Sequence, residues 1–114
     1  MSGMTILCVE DQPEDMAILT AALEGIGYEV MPARNGGQAI DLFTKQAVDG
    51  VLLEDNLPGA TGTTLRTKLK EIHPDIPVLS FAGVGRQTKF MLRFFDAYLR
   101  NTERVVSSLG DLEV

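Results

Sequence analysis

Strand-length apolar runs alternate with helix-length amphipathic stretches along this chain, and that alternation leaves few folds open. Residues 5–9, Thr-Ile-Leu-Cys-Val, form a short continuous run bounded by polar residues. That is the pattern of a strand buried on both faces. From 13 to about 24, and just beyond, Met16, Leu19, Leu23 and Ile26 are spaced three, four and three apart. Such spacing draws one stripe on a helix. Pro13 suits its first turn, and Gly25 and Gly27 suit its exit.

The pattern continues to the end of the chain. Residues 28–31 read as a second strand. Asn35 suits the cap of a helix over about 36–46 that buries Ala39, Ile40 and Phe43. Residues 50–54 read as a third strand, and Leu57-Pro58-Gly59 as a turn. A third helix over about 62–72 buries Leu65, Leu69 and Ile72 and stops before Pro74. Residues 78–82 read as a fourth strand, 86–95 as a fourth helix, 97–99 as a short fifth strand and 102–109 as a last short helix. Five strand-then-helix units predict an α/β fold, a parallel sheet with helices on both faces. Ligands of such sheets bind beyond the carboxyl ends of the strands, so the chemistry is sought there.

The 114 residues are 45% hydrophobic and 23% charged, enough for one domain over 1–114 with its core over about 5–109. No apolar run approaches the roughly 20 residues of a membrane span, and no basic segment precedes the first run as a signal peptide requires. The single cysteine, Cys8, lies inside that run and reads as a buried hydrophobe of a cytoplasmic protein. The formal net charge is −6, divided as −8 over residues 1–57 and +2 over 58–114. A chain so charged does not bind nucleic acid through general electrostatics. The acid of its first half invites a search for a cation site.

Two acid pairs end two of the expected strands: Glu10-Asp11 and Glu54-Asp55. If both strands are central, four carboxylates converge at one edge of the sheet. Hard divalent cations such as Mg²⁺ take oxygen ligands, commonly one or two carboxylates plus waters. Like charges packed together need a cation or a basic side chain to offset them. Read as ordinary solvated loop residues, the same pairs need neither.

The segment Ile6-Leu7-Cys8-Val9-Glu10-Asp11-Gln12-Pro13 resembles the opening of a response-regulator receiver domain. Residues 51–59, Val-Leu-Leu-Glu-Asp-Asn-Leu-Pro-Gly, resemble that family's phosphorylation-site segment. Asp75-Ile76-Pro77-Val78-Leu79 is similar to its fourth strand, and Asp96-Ala97-Tyr98-Leu99 to its fifth. The resemblance covers nearly the whole chain. It implies a flavodoxin-like, doubly wound sheet of five parallel strands in the order 2-1-3-4-5.

The resemblance also implies a site. An aspartate at the end of the third strand accepts a phosphoryl group, and two acids ending the first strand hold Mg²⁺. A hydroxyl after the fourth strand and a lysine after the fifth contact the phosphoryl oxygens. Here the implied Mg²⁺ ligands are Glu10, Asp11, Glu54 and the backbone carbonyl of Asn56, a weak set. The acceptor position falls on Glu54, the hydroxyl position on Ala82 and the lysine position on Asn101. Each of these three substitutions removes one function. Glu54 reads either as a built-in mimic, with one negative charge where phosphate has nearly two, or as drift after phosphotransfer was lost. Asp55 is the rival acceptor, although a one-residue slip along a strand points its side chain to the other face.

The fourth-helix region is short for a receiver, with 13 residues between Ala82 and Asp96, and it is rich in apolar residues. Phe90, Met91, Phe94 and Tyr98 are the expected contact surface, either for a partner or for a homodimer through the fourth-helix and fifth-strand face; repacked core is the competing reading. The chain is thus expected to be a stand-alone, degenerate receiver-like domain of bacterial two-component phosphorelay signalling. It is expected to act without phosphorylation or catalysis. Its expected partner is a histidine kinase, a phosphotransfer protein or another receiver. One alternative is a working phosphoacceptor using Asp55 with Mg²⁺. The other is a small nucleotide- or flavin-binding module, against which the first strand–helix turn, Glu10-Asp11-Gln12-Pro13, is acidic and lacks a glycine-rich cradle.

Overall fold

The computed structural model describes residues 3–58 and 62–100. The elements are β1 (Thr5–Val9), α1 (Pro13–Ile26), β2 (Glu29–Ala33), α2 (Gly36–Lys45), β3 (Gly50–Glu54), α3 (Gly62–Ile72), β4 (Val78–Phe81) and α4 (Thr88–Arg100). The strands pair in the order β2-β1-β3-β4, all parallel. The central strands β1 and β3 are in register, Val9 beside Leu53.

Strand alternation divides the core into two layers. Ile6, Cys8, Leu52, Leu79 and Phe81 point to one side and pack against Leu19 and Leu23 of α1 and Leu92, Phe95 and Leu99 of α4. Leu7, Val9, Val51, Leu53 and Val78 point to the other and meet Ala39 and Phe43 of α2 and Leu65 and Leu69 of α3. The helix ends follow local chemistry. Pro13 opens α1, and Gly27 closes it at φ 116 with its N–H on the carbonyls of Leu23 and Glu24. The Asn35 side chain accepts from the Gln38 N–H at 2.9 Å and caps α2.

The expected fifth strand is not there: residues 97–99 are the last turn of α4. Among the described residues the sheet has four strands. The helix expected over 86–95 instead runs from Thr88 to Arg100. Its stripe of Thr88, Met91, Leu92, Phe95, Tyr98 and Leu99 continues past residue 95 without a break. Handedness agrees with this arrangement. Right-handed crossovers continuing outward from β4 run on the α2–α3 side, as β3-α3-β4 does. The α4 helix lies on the α1 side and fills out that layer. Asn101 and residues 102–109, the expected lysine position and last helix, lie outside the described residues.

Gly50 shows how closely α4 sits on the sheet. A Cβ there would stand 3.1 Å from Phe95 Cζ and 3.2 Å from Leu99 Cδ2. Gly50→Ala is therefore expected to destabilise the fold by about 1–2 kcal/mol through forced repacking. Urea titration of the two chains measures it.

Candidate functional site

The site lies where the pairing of β1 with β3 brings their carboxyl ends together. Glu10 follows β1, and Glu54 is the last residue of β3. The register that sets Val9 beside Leu53 puts these two carboxylates side by side. Both are buried, Glu10 at 1% and Glu54 at 4% exposure.

Their environments differ. The Glu54 carboxylate is held by two backbone donors. Oε2 accepts from the Asn56 N–H at 3.0 Å, and Oε1 accepts from the Gly83 N–H at 2.9 Å. Gly83 has φ +77, a left-handed conformation that suits glycine and aims its N–H into the site. A loop from β3 and a loop from β4 thus form a two-amide anion cradle, filled by the chain's own side chain. Hydrogen bonds of this charge-assisted kind are the stronger ones.

Glu10 is less well served. Its Oε2 accepts from the Gln12 N–H at 3.0 Å, while Oε1 is buried without a partner. Burial, with a smaller contribution from the Glu54 charge, pushes the Glu10 carboxyl up to about 7, against the relief given by the Gln12 N–H. Asp11 is half-buried and accepts from Gln12 Nε2 at 3.1 Å.

The expected Mg²⁺ ligands do not form one gathered set. Among the described residues no group of three or more His, Cys, Asp and Glu side chains is placed to hold a metal. Glu54 accepts a backbone N–H at each oxygen, one of them from Asn56. The orphaned Glu10 Oε1 is the unpartnered oxygen of the expected set; Asp11, the Glu54 oxygens and the Asn56 carbonyl are the other donors that would hold a Mg²⁺ ion.

Asp55 is half-buried, and its N–H donates to the Phe81 carbonyl at 2.8 Å, tying β3 to β4. Strand alternation puts its side chain on the opposite side of the backbone from Glu54. Ala82 is exposed and brings no polar side chain. The surface expected on α4 is divided: Phe90 and Phe94 are exposed, whereas Met91 and Tyr98 face the core and cannot form a contact surface as they stand.

Two participants carry little signal in the sequence. Gly83 donates through its backbone, which leaves no mark beyond a glycine after the hydroxyl position. Arg34, just after β2, is exposed and lines the hollow beside Glu10 and Asp11. Arg100 is elsewhere, bonded to Asp96 at 2.8 Å at the other end of α4.

A doubly wound parallel sheet with acids at the ends of its two central strands is a class that many functions share. Here the class narrows to one family. The response regulator receiver domain matches residues 6–99, and the chain belongs to that family. It is 36% identical over 89 residues to the phosphate regulon transcriptional regulatory protein PhoB of Pseudomonas aeruginosa, covering 76% of this chain and 39% of that protein. It is 29% identical to the polar-differentiation response regulator DivK of Brucella anthropi, covering 94% of this chain and 97% of the relative. Its fold superposes with a TM-score of 0.76 and 20% identity on the receiver domain of a Pseudomonas aeruginosa sensor histidine kinase, covering 88% of this chain and all of that one; that structure carries a magnesium ion in its active-site cleft. No helix among the described residues is long and apolar enough to cross a membrane.

Proposed function

We propose that this receiver domain takes part in two-component signalling without being phosphorylated and passes its signal on by protein–protein contact. One observation carries the reading: the Glu54 carboxylate already occupies the two backbone donors at the strand ends. An acceptor must present a carboxylate free to attack a phosphoryl donor, and the group it gains needs donors for its oxygens. Here the donors are engaged by Glu54 itself. With Ala82 in place of a hydroxyl, no side chain there adds a further contact.

The chain's own residues then act as a fixed joint. Glu54 ties the end of β3 to Gly83, and five residues later α4 begins. The carboxylate thus holds the β4–α4 loop in one conformation without a modification event. In this reading the domain is not an enzyme, and the surface around α4 is always on display to a histidine kinase, a phosphotransfer protein or another receiver. The chain spans 39% of the length of PhoB.

Intact-mass measurement after incubation with Mg²⁺ and acetyl phosphate tests the proposal. The native chain is expected to gain no phosphoryl group. A gain mapped to Asp55 would overturn the proposal and make Asp55 the acceptor. A gain only in Glu54→Asp would show that Glu54 alone blocks the chemistry.

A further inference from the structure

We infer that Tyr28, Asp96 and Arg100 form a latch that seats the last turn of α4, and that with the latch open this turn leaves the sheet while the rest of the domain stays folded. Tyr28 is then the positioning residue of α4. The latch sits at the amino edge of the sheet, opposite the edge that carries Glu10 and Glu54, and is independent of whether Glu54 blocks phosphorylation.

Tyr28 is the fixed half. It lies between the end of α1 and the start of β2 and is 3% exposed. Its N–H donates to the Leu23 carbonyl at 3.1 Å, and the N–H of Glu29 donates to the Met4 carbonyl at 2.9 Å. Gly27, just before it, turns the chain at φ 116. The Tyr28 hydroxyl is thus presented from a backbone tied to α1 on one side and to the first strand on the other. It donates to Asp96 Oδ1 on α4. Burial, and then the Asp96 carboxylate that accepts from it, push this hydroxyl well above the ordinary tyrosine value, so it stays a donor.

Asp96 is the movable half. The last carbonyls of a helix lack partners within it and carry the negative end of its dipole. A carboxylate one turn from that end is opposed by the helix that bears it. The Asp96 side chain is also largely withdrawn from water, at 24% exposure. Two donors offset this, both on Oδ1: the Tyr28 hydroxyl and Arg100 Nε at 2.8 Å. The Arg100 guanidinium lies 6.0 Å from the centre of the Tyr28 ring, so the three groups close on one another. Latched, the acid is satisfied; unlatched, it gains by turning to water.

The apolar seat limits how far the opening runs. Phe95 and Leu99 both lie on Gly50, at the foot of β3, and Phe95 is 1% exposed one turn before the end of the helix. Opening of residues 96–100 bares Tyr98 and Leu99 and leaves Phe95, Leu92 and Met91 in place. Local openings of this kind need less free energy than unfolding of the whole domain.

Native-state hydrogen exchange of the full chain, followed by NMR over a urea series, tests the inference. The amides of residues 97–100 are expected to exchange at least about tenfold faster than those of Leu7 and Leu52, with weaker urea dependence. Tyr28→Phe keeps the ring and removes the hydroxyl, and it is expected to speed the 97–100 amides by a further factor of about ten. Asp96→Ala is expected to do the same, and adding Tyr28→Phe to it to change the rates by less than about twofold. Slow exchange at Leu7 and Leu52 reports that each variant is folded. Exchange of residues 97–100 together with Leu7 and Leu52 in one transition would overturn the separate opening. A Tyr28→Phe chain with native rates at 97–100, or effects of the two substitutions that multiply, would overturn the latch.

Discussion

Phe95→Ala is expected to destabilise the protein by about 3–5 kcal/mol, whereas Phe94→Ala should change stability by less than about 0.5 kcal/mol. The neighbours differ because α4 turns by about 100° per residue. Phe95 is 1% exposed and reaches the sheet at Gly50, and its truncation leaves a cavity between α4 and β3. Phe94 is 39% exposed on the outer flank. The same logic extends along the helix. Leu99→Ala should cost about 2–4 kcal/mol, and Ala97→Pro about 3 kcal/mol or more, because proline removes an interior helix hydrogen bond. Equilibrium urea denaturation of the four variants reads these values. A strand over residues 97–99 would instead leave Ala97→Pro mild at a sheet edge. Near-equal losses at Phe94 and Phe95 would remove the helix as described.

That contrast marks where the sequence is legible and where it misleads. The first seven elements are legible because each carries a local signal: the continuous run Val51-Leu52-Leu53, the Met16-Leu19-Leu23 stripe, Asn35 before α2 and Pro74 after α3. The end of the chain misleads because resemblance and periodicity point to different structures there. Residues 96–99 look like a family's fifth strand, yet Met91, Leu92, Phe95, Tyr98 and Leu99 already form one helical stripe. The tie that fixes this turn is non-local: the Tyr28 hydroxyl, just before β2, donates to Asp96 across 68 positions of sequence. No spacing rule reports such a pair.

The site is legible in its side chains and hidden in its backbone. Glu10 and Glu54 stand where the acid pairs predict, because parallel register brings matching strand ends together. The donors that hold Glu54 are main-chain N–H groups of Asn56 and Gly83, and every residue except proline has one. Their convergence is a property of the two loops, and only the fold shows it. The expected Mg²⁺ ligands are side chains and a carbonyl that the acid pairs mark, whereas the amides that hold Glu54 leave no such mark.

Glu10→Gln is expected to make the protein more stable above neutral pH and to flatten its pH dependence. The folded chain holds the Glu10 carboxyl at about 7, against 4.5 as its ordinary value, mainly through burial. The folded state therefore keeps a proton that the unfolded state has already released. Stability from this group is complete below about pH 4.5, falls as pH rises from 4.5 to 7, and stays low above that. The loss is of order 1–3 kcal/mol, since a tenfold difference in proton affinity between the folded and unfolded chain is worth about 1.4 kcal/mol. Glutamine keeps the shape and leaves an oxygen for the Gln12 N–H, but it cannot ionise beside Glu54. The variant should gain about 1–3 kcal/mol over the native chain at pH 8 and differ little at pH 4.5. Urea titrations at the two pH values decide it. Equal pH profiles would mean that Glu10 is hydrated and ionised in the folded chain, with its second oxygen partnered by water.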